Sequence, residues 1–101
     1  MAARIIIERR IQRESMGAFL ELSLQLRAMA IHQQGYTSGE TLVAADQDDR
    51  YLVISTWRNY SDWKAWEEHP ERIKLAEQME QMLDGPSKVG VFIDVWRAAG
   101  P

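Results

Sequence analysis

The spacing of apolar residues changes character several times along the chain, and each change marks an element. Arg4–Ile11 (RIIIERRI) is short, β-branched at its start and too apolar for a loop, which predicts a first strand. From Ser15 to about Gln34 the apolar positions move to helical spacing. Met16, Phe19, Leu20, Leu24 and Ile31 form the stripe, Leu22, Leu26 and Met29 widen it, and Glu21, Gln25 and His32 fall opposite. Ser15 suits the N-cap of this helix and Gly35 its stop. Tyr36–Ala45 and Arg50–Trp57 (RYLVISTW) are β-rich runs joined by a short acidic stretch, the pattern of a hairpin. Ser61 is expected to cap a short helix, DWKAWEEH, with Asp62 near the positive end of the helix dipole. Pro70 cannot continue that helix but suits the first turn of another, predicted from about Pro70 to Leu83. Its inward residues are expected to be Ile73, Ala76, Met79, Met82 and Leu83, and Asp84-Gly85-Pro86 ends it. Lys88–Trp96 (KVGVFIDVW) is the last strand. The order β-α-β-β-α-β, with its second α broken at Pro70, predicts an α+β, ferredoxin-like domain with an antiparallel sheet.

The strands hold more apolar residues than a one-sided sheet needs. Ile5, Ile6 and Ile7 are consecutive, as are Tyr51 to Ile54 and Val91 to Ile93. Successive strand residues point to opposite faces, so both faces of the sheet are apolar. The helices of this topology cover one face only. The other would expose a patch larger than a monomer normally carries, so a homodimer joined through the sheet face is expected.

Composition narrows the class. A length of 101 residues is that of one domain, with its core expected from Arg4 to Trp96. Hydrophobic residues at 46% and charged residues at 27% describe a globular chain rather than a disordered one. The absence of cysteine excludes disulfides, thiolate catalysis and cysteine-ligated metals. A net charge of -3 argues against a nucleic-acid partner. No apolar run approaches the ~20 residues that span a bilayer. The first ten residues lack the apolar stretch of a signal peptide, and a cytoplasmic location is expected.

The aromatic residues are the first candidates for a site. Trp63 and Trp66 are three apart and share one side of their helix, near Tyr51 and Trp57 on the third strand and Phe92 and Trp96 on the fourth. Such residues either fill the core or line a cavity for a flat, apolar ligand. Glu8 and Asp94 interrupt apolar strands, which fits either a salt bridge or a general base. By strand phase Glu8 and Arg10 share the Ile6 face while Arg9 lies on the other, and Arg9, Arg10 and Arg13 together read as a solvated basic edge. His32 belongs to the polar side of its helix, and His69 before Pro70 suits a cap. Neither joins a carboxylate cluster, so no metal site is expected. Asp46, Asp48 and Asp49 lack the glycine and the distant glutamate of an EF-hand loop and read as a hairpin tip. There is no Gly-rich phosphate loop and no nucleophile elbow.

The stretches GYTSGETL, YLVISTW, SDWKAWEEHPER and KVGVFIDVW resemble the antibiotic biosynthesis monooxygenase domain over roughly Arg4 to Trp96. The most specific part is W-x₅-W-x₂-W-x₅-R, formed by Trp57, Trp63, Trp66 and Arg72. The resemblance implies a dimeric α+β barrel and a cofactor-independent oxygenase acting on a small, flat, enolisable or phenolic molecule. The substrate's own acidic hydrogen is removed and the carbanion reduces O₂. Trp66 matches the helix tryptophan that lines the family's pocket, with Trp57, Trp63, Tyr51 and Phe92 as expected wall. Strand phase and family pattern make Glu8, Arg10 and Arg72 the candidate polar partners, and no cofactor is expected. The haem-degrading branch would require an Asn on the first strand and a His ten residues beyond the helix Trp. This chain has Glu8, Arg9 and Arg10 on that strand and Ala76 at that position, which removes the axial ligand. A non-catalytic small-ligand-binding dimer and a small-metabolite isomerase are the alternatives.

Overall fold

The structure, a computed structural model, describes residues 1–95. Its elements run β1 (Ala3–Arg10), a 3₁₀ turn (Arg13–Ser15), α1 (Met16–Ala30), β2 (Tyr36–Ala44), β3 (Gln47–Trp57), α2 (Tyr60–Glu67), α3 (Pro70–Glu80) and β4 (Lys88–Ile93). The four strands form one sheet in the order β2-β3-β1-β4, every neighbouring pair antiparallel. This is the ferredoxin-like α+β arrangement, with its second helical segment split in two at Pro70.

Several element ends differ from the sequence reading, each for a local reason. Ser15 accepts no capping hydrogen bond, because the 3₁₀ turn before α1 leaves it in an α-like conformation (φ -100°, ψ 0°) rather than the extended one typical of a cap. The cap of α2 is Asn59, not Ser61: the Asn59 Oδ1 accepts from the Asp62 N–H at 2.9 Å, and the Ser61 hydroxyl donates to the same oxygen. His69 does cap α3, its Nδ1 accepting from the Glu71 N–H at 3.2 Å. Leu83 is buried as expected, but beyond the helix end, in a bridge to Ile11. Ile73, expected inward, is exposed. The last strand, expected to reach Trp96, ends at Ile93, where the chain leaves the sheet at Asp94, and Trp96 itself lies outside the described residues.

In α1 the buried side follows Phe19, Leu22, Leu26 and Met29, while Leu20, Leu24 and Ile31 are exposed. Apolar residues occur nearly all round this helix, so its sequence could not say which arc meets the sheet. Two packed clusters result. One joins Ala3, Ile5 and Ile7 of β1 to Trp57, Trp63 and Trp66; the other joins Ile11, Phe19, Leu22, Met79 and Leu83.

Gly35 ties α1 to the site. Its φ of +83° is a left-handed conformation, and a Cβ there would overlap the Asp62 carboxylate of α2. Its carbonyl accepts from the Arg58 N–H at 2.7 Å, so the start of β2 is pinned against the approach to α2.

Register separates the two faces of the sheet. Ala3, Ile5, Ile7 and Arg9 lie opposite Trp57, Ser55, Val53 and Tyr51, on the helix side. On the outer side Ile6 pairs with Ile54 and Glu8 with Leu52, flanked by Leu42 and Phe92. This outer face is apolar at its centre and charged around it. The Arg50 Nε donates to Glu8 at 3.1 Å, and Arg4 meets Asp94 at 3.3 Å.

Candidate active site

A cavity of about 100 Å³ lies between the helix side of the sheet and the three α-helices. Each element gives it a different kind of wall. β1 contributes Ile7 and Arg9, β3 Val53 and Ser55, and β2 Tyr36, Gly39 and Thr41. From α1 come Ser23, Leu26 and Ala30; from α2 come Trp63 and Trp66; from α3 come Arg72 and Met79. Arg27 and Glu40, both exposed, mark the mouth. Glu40 pairs in register with Ile54 and its side chain therefore belongs to the outer face of the sheet.

The walls are shaped by specific contacts. Trp57 is 1% exposed and stands behind the cavity, its ring edge-on to Tyr36 at a centroid distance of 5.4 Å. Its Nε1 donates to Ser55 Oγ at 3.1 Å, which leaves the Ser55 hydroxyl hydrogen free to donate elsewhere. Gly39 leaves space for the Tyr36 phenol, which a Cβ at that position would meet. Trp66, 6% exposed, forms part of the wall and packs at a tilt against His69, with ring centroids 5.6 Å apart.

The polar groups are few and under-satisfied. Ser23 Oγ is buried without a hydrogen-bond partner. Arg9 is 8% exposed, and its Nε donates to Ser87 Oγ at 3.2 Å. Ser87 in turn donates to the Glu80 carboxylate. Arg72 donates from Nη1 to the Glu67 carbonyl at 3.4 Å, a long bond. None of the ion pairs among the described residues includes Arg9 or Arg72. Burial, and then the neighbouring Arg72 charge, push Arg9 down to about 10, with Glu80 acting the other way. Burial likewise lowers Arg72, opposed by Glu67. Arginine nonetheless keeps its charge at neutral pH.

Of the residues expected at a site, Trp63, Trp66 and Arg72 meet at this cavity. Trp57 supports it from behind. Tyr51 packs edge-on against Phe19 at 5.2 Å in the second cluster, away from the cavity lining. Phe92 sits on the outer face and is 56% exposed. Glu8 and Arg10 share that outer face: Glu8 takes the Arg50 ion pair, which holds its carboxyl below the usual 4.5, and Arg10 donates to Gln47. Arg9, Ser23 and Tyr36 were not singled out as lining residues. For Arg9 the signal was present, since it stands in phase with Ile5 and Ile7, where a solvated charge has no place. Among the described residues there is no group of three His, Asp, Glu or Cys that could hold a metal, and no helix long and apolar enough to cross a membrane.

Comparison with solved structures finds the same fold at low identity. SnoaB from Streptomyces nogalater, described as a cofactor-independent oxygenase, matches with a TM-score of 0.86 at 15% identity over 98% of each chain. Rv0793 from Mycobacterium tuberculosis matches with a TM-score of 0.88 at 15% identity, over 98% of this chain and 100% of that one. A conserved protein from Methanosarcina mazei Go1 matches with a TM-score of 0.87 at 11% identity over 91% of each. A search of curated protein sequences finds no match. The profile of the family described as antibiotic biosynthesis monooxygenase matches residues 2–78, a stretch that contains Trp57, Trp63, Trp66 and Arg72. The chain belongs to the antibiotic biosynthesis monooxygenase (ABM) family.

Proposed function

We propose that this protein is a cofactor-independent monooxygenase that oxidises a small, flat, enolisable or phenolic molecule with O₂. The observation that carries the reading is a cavity walled by Trp63 and Trp66 and supplied with two cationic donors, Arg9, which is buried, and Arg72, which is half-buried. Its family membership and its likeness in fold to a protein described as a cofactor-independent oxygenase support it.

The chemistry follows from what these side chains do to a bound carbon acid. An opposite charge within about 4–6 Å lowers an acid's pKa by 1–3 units, so Arg72 favours the enolate or phenolate over its neutral form. Among the described residues Glu40 at the mouth is the one carboxylate that lines the cavity, and its side chain belongs to the outer face, so the proton leaves through the mouth to water. The electron-rich carbon then reduces O₂ and forms a C–O bond. For a CH₂ centre the peroxide takes up a proton and loses water, which leaves a carbonyl; one oxygen atom stays and the other departs as water. Apolar walls exclude competing solvent, and the guanidinium and hydroxyl donors meet the charge where it develops.

The working unit of this reading is a homodimer. Ile6, Leu42, Leu52, Ile54 and Phe92 form an apolar centre on the sheet face that the helices leave uncovered. A second copy packed sheet to sheet closes that face and makes the α+β barrel. The lack of an inward-facing carboxylate or imidazole among the described residues favours one second reading, a ligand-binding dimer without turnover. An oxygen electrode with a single-ring activated phenol, such as a hydroquinone, separates the two. Protein-dependent uptake that falls in Trp66→Ala supports the oxygenase, and no uptake across several activated phenols removes it.

A further inference from the structure

We propose that the substrate carries a fixed anionic group, a carboxylate, beside its oxidisable enol or phenol, and that Arg9 is the residue that holds it. The inference rests on the cavity described for the oxygenase reading but concerns binding alone.

Charge accounting leads to it. Deprotonation of an enol or phenol creates one negative charge, and Arg72 answers it. The cavity holds a second guanidinium, that of the buried Arg9, without a carboxylate partner within ion-pair distance among the described residues. Burying a cation is costly unless it is paired, so an unpaired arginine facing a cavity implies a negative partner supplied by the ligand. Arg9 is also held in a fixed orientation. Its Nε is engaged by Ser87, which is itself anchored on Glu80, and this leaves the two terminal nitrogens for the fork geometry that matches a carboxylate. Glu80 balances part of the charge from behind but lies one hydroxyl away from the guanidinium. Ser23, buried and unpartnered on the α1 wall, adds a hydroxyl donor.

Size sets a further bound. An apolar cavity of about 150 Å³ takes one benzene ring. The 100 Å³ here is smaller and opens at its mouth, so it seats one ring incompletely and the rest of the ligand extends out past Arg27. The ligand class is a single-ring or equivalently small enolisable carboxylate. The net charge of -3 disfavours anions over the molecule as a whole, so a preference for an anion must come from a local seat.

The test compares 2-hydroxybenzoate with 2-hydroxybenzamide, which share the phenol and the ring but differ in charge. Binding is read by calorimetry and by quenching of tryptophan fluorescence, since Trp63 and Trp66 line the cavity. The carboxylate is expected to bind wild-type protein at least tenfold more tightly than the amide. Arg9→Gln brings the two within about threefold, Arg9→Lys keeps the charge but not the fork and retains only part of the preference, and Lys74→Gln, an exposed charge removed from α3, leaves it unchanged. If Arg9→Gln fails to fold, the wild-type ratio and its decline with added salt still decide. Equal affinities, no binding of either probe at millimolar concentration, or an equal loss of preference in Lys74→Gln each overturn the proposal. Oxygen uptake, followed separately, distinguishes the two ideas. Carboxylate-selective binding without uptake removes the oxygenase and leaves the anion seat; uptake with neutral phenols and no carboxylate preference does the reverse.

Discussion

Trp57 and Trp66 are both nearly buried, yet truncating them is expected to cost different amounts. Replacing a core Trp by Ala typically costs about 3–5 kcal/mol, from lost transfer energy and the cavity left behind. Trp57 is packed on all sides, edge-on to Tyr36, and its Nε1 donates to Ser55. Its loss removes a hydrogen bond of about 1 kcal/mol as well, so Trp57→Ala belongs at the upper end, at roughly 4–5 kcal/mol. Trp66 already has one side against empty space, and atoms facing a void make no dispersion contacts there. Its removal enlarges an existing cavity rather than opening a new one, and the expected cost is about 2–3 kcal/mol, including the tilted ring contact with His69. For a domain of this size that is a fall in Tm of roughly 10–20 °C, against more than 20 °C for Trp57→Ala. Urea unfolding followed by far-ultraviolet circular dichroism measures both without relying on the altered fluorophores. The enlarged Trp66→Ala cavity is also expected to admit a two-ring probe such as indole, and Trp57→Ala is not. Equal losses for the two variants, within about 0.5 kcal/mol, would mean that Trp66 is ordinary core and that the cavity closes around its ligand-free walls.

The other predictions concern the outer face and the caps. Ile54→Asp places a charge at the centre of the uncovered sheet face and is expected to yield a folded monomer, against the dimer expected for wild type; light scattering after size exclusion reads this, and an unaltered mass refutes the sheet-to-sheet assembly. Asn59→Ala removes the α2 cap and should cost about 1 kcal/mol, while Ser61→Ala costs less than half of that; the reverse order in chemical unfolding would restore Ser61 as the cap. The Glu8 carboxyl is held below 4.5 chiefly by its hydrogen bond from Arg50, so its stabilising contribution is complete above pH 4.5 and lost as pH falls through the folded-state value. Glu8→Gln should therefore be less stable than wild type at neutral pH and equal to it at the most acid pH the fold survives, and a stability difference unchanged by pH contradicts the pairing.

The order of elements, the broken second helix and the doubly apolar strands were legible in the sequence because they are local. Periodicity, a proline that removes a helical hydrogen bond and runs of β-branched residues act within a few positions of chain. The spacing of Trp57, Trp63, Trp66 and Arg72 was legible for the same reason, and three of these four do line the cavity. Which polar residues accompany them depends on sheet register and helix rotation. Glu8, Arg9 and Arg10 are consecutive, and alternation alone sends Arg9 to the helix side and its neighbours to the outer face. The sequence carried that alternation but not which face holds a cavity, since Ile5, Ile6 and Ile7 make both faces equally apolar. Packing of α1, α2 and α3 on one side decided it. Long-range contacts likewise moved Tyr51 into a cluster with Phe19, left Phe92 exposed and set the buried Ser23 hydroxyl against the cavity. Local chemistry thus determined what the elements are and which family they make, and tertiary packing alone decided which charges are buried, because burial is a property of neighbours that the chain brings together only on folding.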